Sequence, residues 1–404
     1  MKLRVAMSVT AALLLFCTGA MAQDKNVKIG NLTDMSGLYK DLGGPGSTVA
    51  VQLAIQDSGL EAKGWKIDVV SADHQNKPDI GTNIARKWFD DEKVDAIVDV
   101  PNSGVALAVS AVTKEKNGVF LASGPASSDL TGKACNANTI HWTYDTYALA
   151  NTTGKAVVKA GGDTWFFITA DYAFGHALER DTGAVVTASG GKILGDVQHP
   201  LNTSDFSSYL LQAQSSGAKV IGLANAGGDT TNSIKQAAEF GIQSGGQRLA
   251  ALLLFISDVN ALGLNTAQGL TFTSAFYWDM NDQTRAFSDR FSKLMPHSEK
   301  PTMVQAGVYS ATLHYLKALD ALGGNPHDGA KVVAKMKEMP TDDPLFGKGT
   351  VRADGRKIHP VYLFEVKKPA ESKYPWDYYK LLATVPADEA FRPLSESECP
   401  LVKK

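Results

Sequence analysis

The sequence predicts an α/β protein with parallel sheets covered by helices on both faces, divided between two domains. Three observations carry this. Short β-branched or apolar runs alternate with longer stretches of helical period along most of the chain. The strand-like runs are continuous and apolar, as strands buried on both faces require. Once an N-terminal leader is removed, about 380 residues remain, too many for one compact core.

In chain order, the first strand is expected at Val27–Leu32 and the first helix at Ser47–Asp57. Three further strand–helix pairs follow: Lys66–Ser71 with Pro78–Asp91, Ala96–Val100 with Ser103–Lys116, and Gly118–Ala122 with Thr146–Ala160. The pattern repeats with Thr164–Thr169 and Phe174–Ser189, Lys192–Val197 and Phe206–Ser215, and Lys219–Leu223 and Thr230–Phe240. Strands Leu249–Phe255 and Leu270–Ser274 precede a helix at Asp282–Lys293. Met303–Leu322 reads as one long helix, stopped by Gly323-Gly324-Asn325-Pro326, and Asp328–Met339 as another. From Gly347 the chain is strand-like and turn-rich, with a hairpin signal at Ala353-Asp354-Gly355-Arg356.

The start of the chain reads as a secretory leader. Lys2 and Arg4 form a charged region, Val5–Cys17 is apolar but too short to span a bilayer, and Ala20-Met21-Ala22 is a cleavage site. Cleavage is expected after Ala22, and Phe16 before Cys17 argues against lipid attachment. Loss of two basic residues takes the formal net charge from −2 to −4. This mild acidity gives no electrostatic reason to expect nucleic acid or an anionic membrane as partner. The longest later apolar run, Leu249–Ile256, suits a buried strand. Cys135 and Cys399 remain, and an oxidising compartment favours a disulfide between them.

Catalytic signatures are missing. The chain has no H-E-x-x-H, C-x-x-C, G-x-S-x-G or G-x-x-x-x-G-K-[ST], and its eight histidines are scattered without metal-ligand spacing. No enzyme, metal or cofactor is expected. The loop "DMSGLYKDLGGPGSTVA" sits where nucleotide-binding folds cradle phosphate, yet it does not fit G-x-G-x-x-G: from Gly44, the third glycine position is Val49. Its glycines either bring backbone to a cleft or merely pack the helix, and Tyr39 or Asp41 offers a side chain at the lip.

Other loops suit a small anion. Asn102 or Ser103 is a natural N-cap, and the N–H groups behind it attract negative charge. Ser123, Gly124 and Ala126 belong to a second loop of small residues after a strand. Tyr172 and Phe174 follow the strand "WFFITA", Asn225 opens a further loop, and Phe276-Tyr277-Trp278 stands where the chain leaves the second domain. Such aromatics either pack a core or grip a ligand body.

The ordered series "VKIGNLTDMSGLYKDLGGPGSTVAVQLAIQDSG", "DHQNKPDIGTNIARKWFDDEKVDAIVDVPNSG", "ASGPASSDLTG", "ADYAFG" and "GGKILGDVQHPLNTSDFSSYLLQAQSSGAKVIGLANAGGDTTNSIKQAAEFG" resembles periplasmic solute-binding proteins of the branched-chain amino-acid (Leu/Ile/Val-binding) ABC transporter family. The resemblance covers essentially the whole mature chain. It implies two Rossmann-like lobes joined by a three-segment hinge, the type I periplasmic binding protein fold, closing on ligand. Lobe 1 would comprise 23–143 and 278–348, lobe 2 144–277 and 349–385, with a tail at 386–404. The crossovers would lie near Trp142–Thr146, Ser274–Trp278 and Lys348–Arg352.

The resemblance implies a ligand site of Tyr39, Asn102, Ser103, Ser123, Gly124, Ala126, Tyr172, Phe174, Asn225 and Tyr277, with the ligand carboxylate on the Asn102–Ser103 and Ser123–Ala126 loops. It also implies a periplasmic monomer that hands a small ligand to a membrane permease. Two departures matter. The position that carries the ammonium-binding carboxylate in amino-acid binders reads Ile256, with Asp258 nearby, and the aromatic of the Asn225 loop is replaced by Ala226-Gly227. A branched-chain or related amino acid is the family default; an aromatic carboxylate is the rival. A ligand-sensing receptor domain is the alternative class of function.

Overall fold

The computed structural model describes residues 24–403; the leader at 1–22 and its cleavage site lie outside the described residues. Two all-parallel sheets form the cores of two lobes. The first contains β1 (Asn26–Thr33), β2 (Lys66–Asp73), β3 (Ala96–Asp99), β4 (Val119–Ala122) and β5 (Thr139–His141), in the order β2-β1-β3-β4-β5. The second contains β6 (Thr164–Ala170), β7 (Lys192–His199), β8 (Val220–Ala224) and β9 (Arg248–Ala251), in the order β7-β6-β8-β9. Each order reverses beside its first strand. The loops leaving β1 and β3, and those leaving β6 and β8, therefore diverge at a switch point, where open α/β sheets bind ligands.

The rest of the chain serves both lobes. β10 (Thr271–Ser274) ends the second lobe's first pass. The helix Met303–Leu322 then returns to the first lobe, as its unbroken apolar pattern allows, and is buried almost throughout. Its N-cap Thr302 donates to the Leu42 carbonyl at 2.6 Å, and Gln305 donates to the Gly43 carbonyl at 3.0 Å. A β-carbon on Gly46 would lie 2.2 Å from Gln305 Nε2. Gly46 is thus a packing glycine that admits this helix.

β11 (Thr341–Asp343), β12 (Gly347–Val351) and β13 (Lys357–Ile358) make a small antiparallel sheet. The expected turn at Ala353–Arg356 joins β12 to β13. β14 (Val361–Val366) and β15 (Tyr379–Val385) then pair antiparallel with β10 in the order β10-β14-β15. The expected third crossover, Lys348–Arg352, begins inside β12. The passage to β14 comes later, at His359-Pro360, because β12 and β13 are paired first.

Two other local differences have clear causes. The strand expected at Leu249–Phe255 stops at Ala251, and a helix begins at Ile256. Asp258 accepts from the Phe255 N–H at 2.9 Å, so this acid in the first turn starts a helix where apolarity alone suggested strand. The helix expected at Thr146–Ala160 contains a π-turn at Ala150–Gly154.

Arg356, in the turn between β12 and β13, fastens that sheet to the first crossover segment. Its guanidinium is fully buried and donates to the carbonyls of Trp142 (2.7 Å), Tyr144 (2.9 Å) and Lys357 (3.0 Å). Asp145 lies 3.7 Å away. Burial pulls the Arg356 pKa down to about 10, which still leaves it charged at neutral pH.

Cys135 and Cys399 are bonded, with Cα atoms 5.6 Å apart and a sequence separation of 264. The bond ties the C-terminal tail to the first lobe. Closing so long a loop restricts the unfolded chain strongly. The double variant Cys135→Ser/Cys399→Ser is expected to lose about 2–4 kcal/mol of stability. Thermal unfolding by calorimetry should show this as a lower Tm.

Candidate functional site

The opening loop is organised by Asp34. Its carboxylate accepts from the backbone N–H of Gly37 (2.7 Å) and Tyr39 (2.8 Å) and from the Asn76 side chain (2.5 Å). These bonds wind the segment after β1 into a tight turn that projects Tyr39 across the cleft. There the Tyr39 and Tyr172 hydroxyls meet at 2.5 Å, joining the first lobe to the second. Burial, then each other's proximity, holds the Tyr39 phenol well above its ordinary pKa, so both rings stay neutral. Leu38 lies beside the β8 loop. A β-carbon on Gly227 would sit 2.7 Å from the Leu38 carbonyl, and Gly227 has φ +59°. Only glycine satisfies both conditions.

Behind this contact lies a half-open cleft of only about 10 Å³, room for about one water, so its walls nearly touch and a ligand enters only as the lobes part. The first lobe and hinge contribute Tyr39, Leu42, Pro101, Gly124, Ala126 and Tyr144; the second contributes Tyr172, Phe174, Ala226, Leu253 and Phe255. No acidic or basic side chain lines it. The Tyr144 hydroxyl donates to the Gly124 carbonyl at 2.6 Å, and the Tyr144 ring meets Phe255 edge-on at 6.3 Å between centroids. A wider groove outside, which shares Leu42, is lined in part by Lys40, Asp41, Lys77 and Asp258.

Of the residues expected from sequence, Tyr39, Gly124, Ala126, Tyr172 and Phe174 line the cavity. Asn102 and Ser123 lie just behind the wall, adjoining Pro101 and Gly124. Asn102 caps its helix, its side-chain oxygen accepting from Val105 N–H at 3.1 Å. Its Nδ2 and the Ser123 Oγ are buried with no hydrogen-bond partner. Ser103 holds the neighbouring loop instead of facing the cavity: its Oγ accepts from the N–H of Ala126 (3.3 Å) and Ser127 (3.1 Å). The amide of Ala126, expected to face the ligand, is therefore already engaged.

Two expected residues stand elsewhere. Asn225 is occupied by Thr230 (2.8 Å) and His199 (3.2 Å), and its neighbour Ala226 takes the wall position. Tyr277 donates to the Trp376 carbonyl at 3.1 Å and stacks on Tyr379, inside the antiparallel sheet's aromatic cluster. Sequence reading missed Leu42, Pro101, Tyr144, Leu253 and Phe255. Tyr144 follows β5, which is only three residues long and has no periodic signal. Asp258 caps its own helix and faces the outer groove; burial raises its carboxyl to about 7, with Asp41 adding to the shift.

Among the described residues no cluster of acidic, histidine or cysteine side chains is placed to hold a metal, and no helix is long and apolar enough to cross a membrane.

Comparison with known proteins agrees with this architecture. The family model described as periplasmic binding protein matches residues 26–372. A crystal structure of a periplasmic binding protein from Burkholderia mallei is 51% identical, with a TM-score of 0.91, covering 94% of this chain and 100% of that one. The periplasmic ligand-binding protein of a branched-chain amino acid ABC transporter from Burkholderia xenovorans is 43% identical, with a TM-score of 0.83, covering 93% and 100%. The Leu/Ile/Val-binding protein homolog 6 of Brucella melitensis is 25% identical over 92% of this chain and 95% of its own length.

The Leu38–Gly227 approach yields a prediction. Gly227→Ala strains the loop's positive φ in either form and adds a clash with Leu38 when the lobes are together, which penalises closure by about 1–3 kcal/mol. Ligand affinity by calorimetry should fall by roughly five- to a hundredfold, while small-angle scattering should show a more open molecule of unchanged fold.

Proposed function

This chain belongs to the periplasmic binding protein family, and on that premise we propose that it captures a compact aromatic carboxylate for an ABC importer by closing its two lobes. One observation carries the choice of ligand: the cavity wall is built from Tyr39, Tyr144, Tyr172, Phe174 and Phe255, with no acidic side chain among its lining residues. An amino acid would bring an ammonium group into this wall, and a buried ammonium without a partner costs several kcal/mol. Flat rings match a flat ligand body. At the Pro101–Gly124 end, Asn102 Nδ2 and Ser123 Oγ offer donors that lack partners within the protein.

On this reading the exported chain works as a monomer in the periplasm, after cleavage following Ala22, and passes its ligand to a membrane permease. The lobes are 23–143 with 278–358, and 144–277 with 361–385, joined for the third time at His359-Pro360. Binding and release by hinge motion require no catalytic group.

A second reading, a branched-chain amino acid, is favoured by the description of the 43% identical Burkholderia xenovorans protein. It would need a carboxylate to meet the ammonium, either Asp258 after leaving its helix cap or Asp99 from behind Gly124.

A thermal-shift panel separates the two. It would contain Leu, Ile, Val, Phe, benzoate, 4-hydroxybenzoate, phenylpropenoates and short dicarboxylates. A ligand at about 100 times its Kd adds ~2.7 kcal/mol, an upward shift of several degrees. Shifts with the aromatic acids alone are expected; shifts with Leu, Ile or Val alone would replace this reading by the second. Asn102→Ala and Ser123→Ala should each weaken the best acid by about 1–3 kcal/mol in calorimetry.

A further inference from the structure

We propose that Asp99 becomes protonated when the ligand's carboxylate docks, so that capture takes up one proton from solvent. The inference rests on the aromatic-carboxylate reading above and adds a residue outside the cavity lining. Asp99 ends β3, at the switch point of the first sheet, and is fully buried. Its Oδ2 accepts from the Thr33 hydroxyl at 2.8 Å, while its Oδ1 has no partner. A β-carbon on Gly124 would lie 2.3 Å from that Oδ1. The carboxyl group therefore stands directly behind a wall residue that has no side chain.

Three buried polar atoms without partners adjoin the same end of the cavity: Asp99 Oδ1, Asn102 Nδ2 and Ser123 Oγ. The last two are donors for an anion. Asp99 is a donor only when protonated; ionised, it repels the anion. Two carboxylates in one dry site do not both ionise cheaply, so a bound anion drives a proton onto Asp99.

The surroundings favour that outcome. Burial pushes the Asp99 carboxyl up to about 6 before any ligand arrives, against the nearby hydroxyls of Ser47, which makes no well-formed bond to it, and Thr33, with the Asp34 carboxylate adding to the shift. The titratable groups facing it are Asp34 from the loop after β1 and Tyr144 from the segment after β5, whose phenol is itself held neutral by burial. Neither supplies a positive charge that would keep Asp99 ionised.

The sign follows from linkage. Above pH 6 the free protein has Asp99 ionised and the complex has it protonated, so affinity falls as pH rises; below pH 6 both states hold the proton and the dependence flattens. The experiment is calorimetric titration of benzoate into the mature protein at pH 6, 7 and 8, each in two buffers of different protonation enthalpy. The expected result is an affinity that drops by up to about tenfold per pH unit, with uptake approaching one proton at pH 8. Asp99→Asn, which keeps a donor without the charge, should bind benzoate with a flat pH profile. Benzamide, a neutral analogue, should bind the unaltered protein without proton uptake, which keeps the test open if the variant fails to fold.

Benzoate binding without uptake, or with the same slope in Asp99→Asn, overturns this inference and leaves the ligand reading standing. Failure of every aromatic acid to bind overturns both. An ammonium-bearing ligand that binds more tightly as Asp99 ionises overturns both in favour of an ion pair.

Discussion

The placement of the two lobes depends on one buried cation. Arg356 sits without solvent access between the β12–β13 turn and the first crossover segment and satisfies carbonyls of Trp142, Tyr144 and Lys357. A buried charge is tolerable only when hydrogen-bonded and balanced, and here the carbonyls and Asp145 do both. The clasp also reaches the ligand cavity. Tyr144, whose carbonyl Arg356 holds, turns its ring into the wall and its hydroxyl to Gly124. The hinge and the cavity wall are thus one hydrogen-bonded unit, and a change at the hinge is felt where ligand would sit.

The cavity divides its polar chemistry unevenly. Most polar groups around it are spent on the protein itself: Asp34 on its turn, Ser103 on the next loop, Asn225 on its helix, Asp258 on a cap. What remains is apolar and aromatic on the faces, with unpartnered polar atoms behind the Pro101–Gly124 end. Buried polar atoms without partners carry a desolvation cost. A ligand that satisfies them relieves that cost, and this can favour the closed form over the open one. Specificity on this account comes as much from the lack of an acidic side chain among the lining residues as from the contacts that are present.

The sequence made the architecture legible because alternating strand and helix patterns are long and strongly marked, and because Met303–Leu322 is long and mostly apolar. Loop identity was legible too, since ligand loops follow strands at predictable ends. What escaped was whatever depends on spending rather than presence. Ser103 and Asn225 are polar residues in the right loops, but local partners occupy them. Tyr144 and Phe255 face the cavity from segments whose own pattern was too short or too uniformly apolar to read. Tyr277 is an aromatic at a crossover, yet Tyr379 and Trp376, about a hundred residues later in the chain, draw it into another cluster. The third passage comes later than the expected Lys348–Arg352 because β12 pairs locally with β11 and β13 before the chain reaches β14.

The most direct test of the central claim is a crystal structure of the protein with bound benzoate or 4-hydroxybenzoate. The account expects the ring between Tyr144, Phe174 and Phe255, with the carboxylate on Asn102 Nδ2 and Ser123 Oγ at the Gly124 end. A carboxylate held instead by the second lobe would contradict it, as would a ring lying in the outer groove beside Asp258.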